Sequence, residues 1–201
     1  MARNVSVDSS EVQELERIFG TTAPKALKKA MRLSLTRTRS GAKSETSKKI
    51  REHYEIKAKR VKQDIVMTRV NFSSFQFSLI GRKKPISTIS FGRPRQVRAG
   101  VSVTVEKGER KLIKRAFIAR GLNGKTQVFS RFTEEGSLLP IRKMEQGRHV
   151  GERRRVIRGL KGPSASDMFK KADIEEHIAG FARDRFLSEL QRNLRFLLGR
   201  T

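Results

Sequence analysis

Forty-six lysines and arginines face only twenty aspartates and glutamates in this chain of 201 residues, a formal net charge of +26. A compact fold that holds such an excess repels itself, because like charges on one small surface raise each other's energy. Ordinary soluble domains carry net charges of about 2 to 8 in magnitude. The excess therefore calls for a partner of opposite sign: nucleic acid, an anionic membrane face or an acidic protein. Hydrophobic residues make up 36% of the chain and charged residues 33%, so a modest core has to support a large charged surface. The length suits one domain or two small ones.

The chain has no cysteine, which removes disulfides, thiol nucleophiles and cysteine-held metals from consideration. The first six residues lack the apolar stretch of a signal peptide. No segment approaches the ~18 uninterrupted apolar residues of a membrane span. A protein made and kept in the cytoplasm, or built into a particle, is expected, with no membrane partner. Twelve Phe, one Tyr and no Trp favour plain packing over stacking platforms for bases.

Apolar spacing divides the chain into three zones, a basic helical region at 1–65, a β domain at 66–162 and a C-terminal helix at 163–201. In the first, Ser10 and Gln13 form a capping-box pattern, and Val12, Leu15, Ile18 and Phe19 share a face up to Gly20. Thr22 and Pro24 mark a second helix start. Leu27, Ala30, Met31, Leu35, Thr38 and Ala42 continue a narrow face, with Ser40-Gly41 as the expected kink. A further basic amphipathic piece is expected over 48–65. In the second zone Phe75, Phe77 and Leu79 alternate with polar residues, as do Val101, Val103 and Val105. That period of two belongs to half-buried antiparallel strands. Glu106 to Glu109 supply a turn, an apolar run resumes over 111–119, and Asn123-Gly124 is a hairpin dipeptide. Two basic stretches are read as loops: 81–100, alternatively a pair of edge segments, and 146–162. In the third zone Ile178, Ala182, Phe186, Leu190, Leu194 and Leu198 recur every four residues, with Ser164 or Ser166 as cap and Gly199 as stop. The expected class is α+β, with basic N-terminal helices, a small antiparallel sheet or barrel, and a long C-terminal amphipathic helix.

No catalytic constellation emerges. His53, His149 and His177 lie far apart and lack metal-ligand spacing. The adjacent carboxylates Glu134-Glu135 and Glu175-Glu176 point apart on any regular element. Gly121 to Thr126 ends in Gly-Lys-Thr like a phosphate-binding loop, but Ala119 stands where the first glycine is required and a strand-like run follows. No enzyme activity, cofactor or metal is expected.

Several strings, in order, carry a resemblance: Ala26 to Thr38, Tyr54-Glu55-Ile56-Lys57, Gly100 to Phe117, Leu139-Pro140-Ile141, and Gly162-Pro163-Ser164 before Met168-Phe169. Together they resemble the minor tail protein Z family, the tail completion proteins of long-tailed phages and prophages. The resemblance departs where the Arg-rich stretch 146–161 separates Pro-Ile from Gly-Pro-Ser. It implies a virion protein that finishes the head-proximal end of the tail, near the tail terminator, the tail tube and the leading end of the DNA. A homo-oligomeric ring is expected, with six-fold symmetry among the options, assembled in the host cytoplasm. The family lends no catalytic or binding residues, so candidate contacts come from charge. For DNA phosphates or an acidic protein rim they are Lys83, Lys84, Arg93, Arg95, Arg98, Arg148, Arg153, Arg154, Arg155, Arg158 and Lys161. Ile178, Phe186, Leu190 and Leu194 are expected to serve core or subunit packing. On composition alone, a host ribosome- or nucleoid-associated protein is the alternative.

Overall fold

Apolar and small residues recur at every third or fourth position from Leu27 to Ile50, and one long helix, α1 (Pro24–His53), follows from that spacing. The computed structural model describes residues 3–5, 17, 24–71 and 77–199. The expected cap at Ser10, the face from Val12 to Phe19, the stop at Gly20 and Phe75 lie outside them. The chain divides into two units: Met1–Ile50 with Val61–Lys83 and Ala165–Thr201, and Arg51–Arg60 with Lys84–Ser164.

In the first unit α1 buries Leu27, Ala30, Met31, Leu35, Ala42 and Ile50 together with the hydroxyl residues Ser34, Thr38, Thr46 and Ser47. Its partner is α4 (Ala172–Leu198), which follows the short α3 (Ala165–Phe169) and buries Ile174, Ile178, Ala182, Phe186, Leu190 and Leu194. Asn193 Nδ2 donates to Ser34 Oγ at 2.8 Å, Arg37 Nη1 donates to Glu189 Oε2 at 3.2 Å, and His177 Nε2 lies 3.1 Å from Glu45 Oε1. Numbers rise along one helix as they fall along the other, so the pair is antiparallel. The helix runs without a break through Ser40-Gly41. A Cβ on Gly41 would come 2.6 Å from Arg185 Nε, so the arginine lies across the helix there.

A three-stranded antiparallel sheet completes this unit, in the order β1 (Arg3–Val5), β3 (Phe77–Gly81), β2 (Ile65–Met67). Leu79 stands opposite both Arg3 and Met67. Phe77 and Leu79 are buried while Ser78 and Ile80 are half-buried, the alternation expected of the pleat. The predicted helix over 48–65 is two pieces, the end of α1 and α2 (Ala58–Asp64), and its last residue, Ile65, already belongs to β2.

The second unit holds ten short strands: β4 (Pro85–Ser87), β5 (Arg95–Val97), β6 (Gly100–Thr104), β7 (Arg110–Lys114), β8 (Ala116–Arg120), β9 (Thr126–Ser130), β10 (Ile141–Lys143), β11 (Arg153–Arg155), β12 (Arg158–Gly159) and β13 (Lys161–Ser164). They pair as β5-β6-β7, β12-β9-β8, β10-β11 and β13-β4, all antiparallel. Val101, Ala116 and Val128 form a small core with Ile89, Ile113, Ile118 and Leu160 packed against it. Gly100 is obligatory: at φ 155° a Cβ there would meet the Ile113 carbonyl oxygen at 2.0 Å, between paired strands.

The α+β class and both turns read from the sequence hold, at Glu106 to Glu109 and at Asn123-Gly124. Four details differ. The stretch 146–162 is not a loop, because β11, β12 and the start of β13 pair there. The stretch 81–100 is the alternative form, two short strands around a 3-10 turn at Thr88–Ser90. The run 111–119 is two strands in different sheets, split at Arg115, whose φ is 58°. Neither serine caps the last helix: Ser164 ends β13, Ser166 lies in α3, and α4 begins after Lys171 with no side-chain cap.

Phe186 on α4 is completely buried, so Phe186→Ala is expected to cost about 3–5 kcal/mol in denaturant unfolding. Thr38 Oγ1 is buried with no hydrogen-bond partner among the described residues. Thr38→Val, of equal shape, should therefore stabilise by about 1 kcal/mol. Destabilisation would mean that the hydroxyl is satisfied after all.

Candidate polyanion-contact surface

Strands β10 and β11 are three residues each, and five of their six side chains are basic. The register sets Arg142 opposite Arg154, Lys143 opposite Arg153, and Ile141 opposite Arg155. Opposed residues of an antiparallel pair share a face and successive residues alternate. One face of the ribbon therefore carries Arg142 and Arg154, and the other carries Lys143, Arg153 and Arg155. The whole ribbon is exposed apart from a half-buried Arg155, whose Nη1 donates to the Leu139 carbonyl at 2.8 Å. Backbone bonds hold the ribbon at both ends, Val156 N to Pro140 O at 2.9 Å and Met144 N to Glu152 O at 2.9 Å. The tip turns on Gly147 and Gly151, both with left-handed φ.

Like charges directly opposite each other destabilise a strand pair. Eight basic residues stand against two acidic ones between Leu139 and Lys161. The nearest compensation is Glu152, which accepts from Arg154 Nε at 2.8 Å and lies 3.2 Å from His149 Nδ1. One carboxylate cannot neutralise the ladder, and both faces of the ribbon are left to attract an anion.

The sequence-predicted contact residues fall into four places. Lys83 and Lys84 are exposed on the connection between β3 and β4. Arg93 precedes β5, Arg95 lies on it and Arg98 sits in the β5–β6 turn, all exposed. Arg95 shares its strand face with Ser102 and Leu112, and Arg110 donates from Nε to Ser102 Oγ at 2.6 Å. Arg148, Arg153, Arg154 and Arg155 belong to the ribbon and its tip. Arg158 and Lys161, on β12 and β13, line a cavity and are outside the ribbon ladder. Ile178, Phe186, Leu190 and Leu194 are buried within the monomer. Reading the sequence missed Arg142 and Lys143 on β10, and Arg110 and Lys114 on β7. The signal for the first pair was present, two basic clusters flanking a tip with two glycines, as in a hairpin.

The Gly-Lys-Thr segment is a hairpin tip. Gly121 N donates to Lys125 O at 2.9 Å, and Lys125 N donates to Asn123 Oδ1 at 3.0 Å. Among the described residues no group of three or more His, Asp or Glu side chains could hold a metal, and no helix is long and apolar enough to cross a membrane. The arrangement can bind anions; it offers no nucleophile with a base beside it.

At the ribbon tip the hydrogen bond from His149, and then that from Arg154, hold the Glu152 carboxyl below its ordinary value. A depressed folded value means that the stabilisation is present above the unfolded glutamate range and is lost as pH falls through the folded value. A carboxyl NMR titration should therefore place the Glu152 midpoint below that of a free glutamate, and His149→Gln should raise it. A midpoint at or above the free value would contradict this tip geometry.

The family model for prophage minor tail protein Z matches residues 9–200. No curated protein and no solved structure matches the chain. The match takes in both units, the ribbon and the Arg-rich stretch that precedes Gly162-Pro163-Ser164. The chain belongs to the prophage minor tail protein Z family, and its role is that of a structural protein of a phage tail.

Proposed function

We propose that this chain completes the head-proximal end of a long phage tail as one subunit of a homo-oligomeric ring, with the β10–β11 ribbon turned toward phage DNA. Its neighbours in this reading are the tail terminator and the tail tube, and the ring is built in the host cytoplasm before it joins the virion. The observation that carries the reading is the ribbon register, which sets two cation pairs directly opposite each other. Unit charges about 5 Å apart repel by roughly 1 kcal/mol even in water. A sequence that keeps two such pairs on an exposed ribbon is fitted to a dense array of anions. Duplex DNA is that array, with one negative charge per ~1.7 Å of its axis.

The contact in this reading is to phosphate. The paired strands carry no aromatic residue to stack on a base, and their cations, set side by side along the ribbon, suit the phosphate backbone. Sequence-independent contact suits a protein that meets whatever genome end enters the tail.

Binding of the purified protein to a random-sequence duplex across a salt series tests the reading. The log–log slope should fall near 0.9 per phosphate contacted, with no preference among sequences. Arg153→Glu with Arg154→Glu should lower the affinity and reduce the slope by about 2. An unchanged slope in a folded double variant would remove the ribbon from the contact. No binding of the wild type at low salt would remove DNA as its partner.

A further inference from the structure

The second unit contains a cavity of about 870 Å³ whose lining includes Lys114, Arg115, Arg158 and Lys161. The one carboxylate on that lining is Glu134, whose side chain is 89% exposed. From this arrangement we propose that the cavity receives carboxylate side chains from an acidic segment of another protein, as a docking site separate from the DNA-facing ribbon.

Arg115 is the first argument. Among the described residues it alone, glycines apart, has a left-handed backbone, at the corner where β7 ends and β8 begins. That conformation is unfavourable for a residue with a Cβ, and glycine or asparagine would hold the corner more easily. The corner keeps an arginine, whose guanidinium carbon sits 4.8 Å from the centre of the Phe132 ring. At that distance the cation is attracted to the ring, and its N–H groups are left for acceptors. It makes no ion pair or hydrogen bond among the described residues, and neither do the side chains of Lys114 and Lys161.

Arg158 and Glu134 show which acceptor suits the cavity. Glu134 rides on the tight turn from Thr133 to Ser137, closed by Thr133 N to Ser137 O at 2.7 Å. It takes a hydrogen bond from Arg158 Nη1 at 3.1 Å. The Arg158 side chain is only 32% exposed, and its Nε is buried without a partner. An exposed pair of this kind contributes little, so Glu134 is a carboxylate that a better one can displace.

The floor separates a protein partner from DNA. Ile113, Phe132 and Leu160 line the same cavity. The methylene stem of a glutamate lies well on such a surface while its carboxylate meets the cations. The phosphates of a duplex stand on a convex rod with no apolar stem to match that floor. A second copy of this chain is a poor source of such a segment, with twenty acidic residues against forty-six basic ones.

Fluorescence anisotropy with a labelled decapeptide of alternating glutamate and leucine tests the proposal, with the glutamine counterpart and a duplex DNA as comparisons. The glutamate peptide should bind and the glutamine peptide should not. Arg115→Asn keeps a residue that tolerates the corner and should weaken peptide binding about tenfold, the scale of one lost charge-assisted hydrogen bond. Glu134→Gln should tighten it severalfold by removing the internal competitor, a gain that misfolding cannot produce. Both variants should bind duplex DNA as the wild type does, so this test stands apart from that of the ribbon. Equal binding of the two peptides, or full peptide binding by Arg115→Asn, would overturn the proposal. A parallel loss of DNA binding in Arg115→Asn would make the cavity part of the DNA surface instead.

Discussion

Like charge is what every element of this protein has to accommodate, and the apolar residues are placed to free the surface for it. In the first unit α4 buries aliphatic residues and Phe186, and six of the ten buried residues of α1 are alanine, serine or threonine. On α1 a narrow stripe suffices for burial. The other sides of α1 can then carry Lys25, Lys28, Lys29, Arg32 and Arg37, all exposed. Arg37 finds Glu189 across the seam. A helix of this kind is held by its stripe and not by its charges, since exposed ion pairs contribute only about 0–1 kcal/mol.

The second unit meets the same constraint with strands. It buries Ile86, Phe91, Val103 and Phe129, and a small cluster of Val101, Ala116 and Val128 is ringed by partly buried aliphatics. Strands β6 and β9 bury three residues each, β4, β8 and β13 bury one each, and β5, β7, β10, β11 and β12 bury none. Cation–π contacts take up some of the excess, Arg115 over Phe132 and Arg131 over Phe117. Phenylalanine fits this use, because its ring offers a face to a guanidinium without a polar group that needs its own partner. Exposed cations stand on the ribbon, around the cavity and along β5 and its turn.

Legibility in the sequence followed the strength of the periodic signal. The four-residue step from Ile178 to Leu194 could be only a helix face, and the alternation of Val101 and Val103 only a strand. Both stand so in the structure. Asn123-Gly124 marked its turn because Gly124 takes the left-handed φ that such turns require. Strand β11 was illegible for a physical reason. Arginine on every position gives no alternation, and what orders the segment is backbone pairing with β10, which composition cannot show. The break at Arg115 was hidden too, since arginine is not a residue that announces a turn. The cavity draws on residues near 113–115, 130–136 and 158–161, which only the pairing of β8, β9 and β12 brings together. Charge raised the expectation of a polyanionic partner; pairing told where the cations stand.

The central claim is that the cations of the second unit are matched by an anionic partner at the head-proximal end of the tail. Cryo-electron microscopy of intact virions, with the α1–α4 pair and the β10–β11 ribbon fitted into density, tests it most directly. The account predicts a ring of this chain between tail tube and head, with the ribbon within contact distance of DNA density in the channel. Finding the chain at the far tip of the tail, or at the head-proximal end with the ribbon facing solvent, would contradict it.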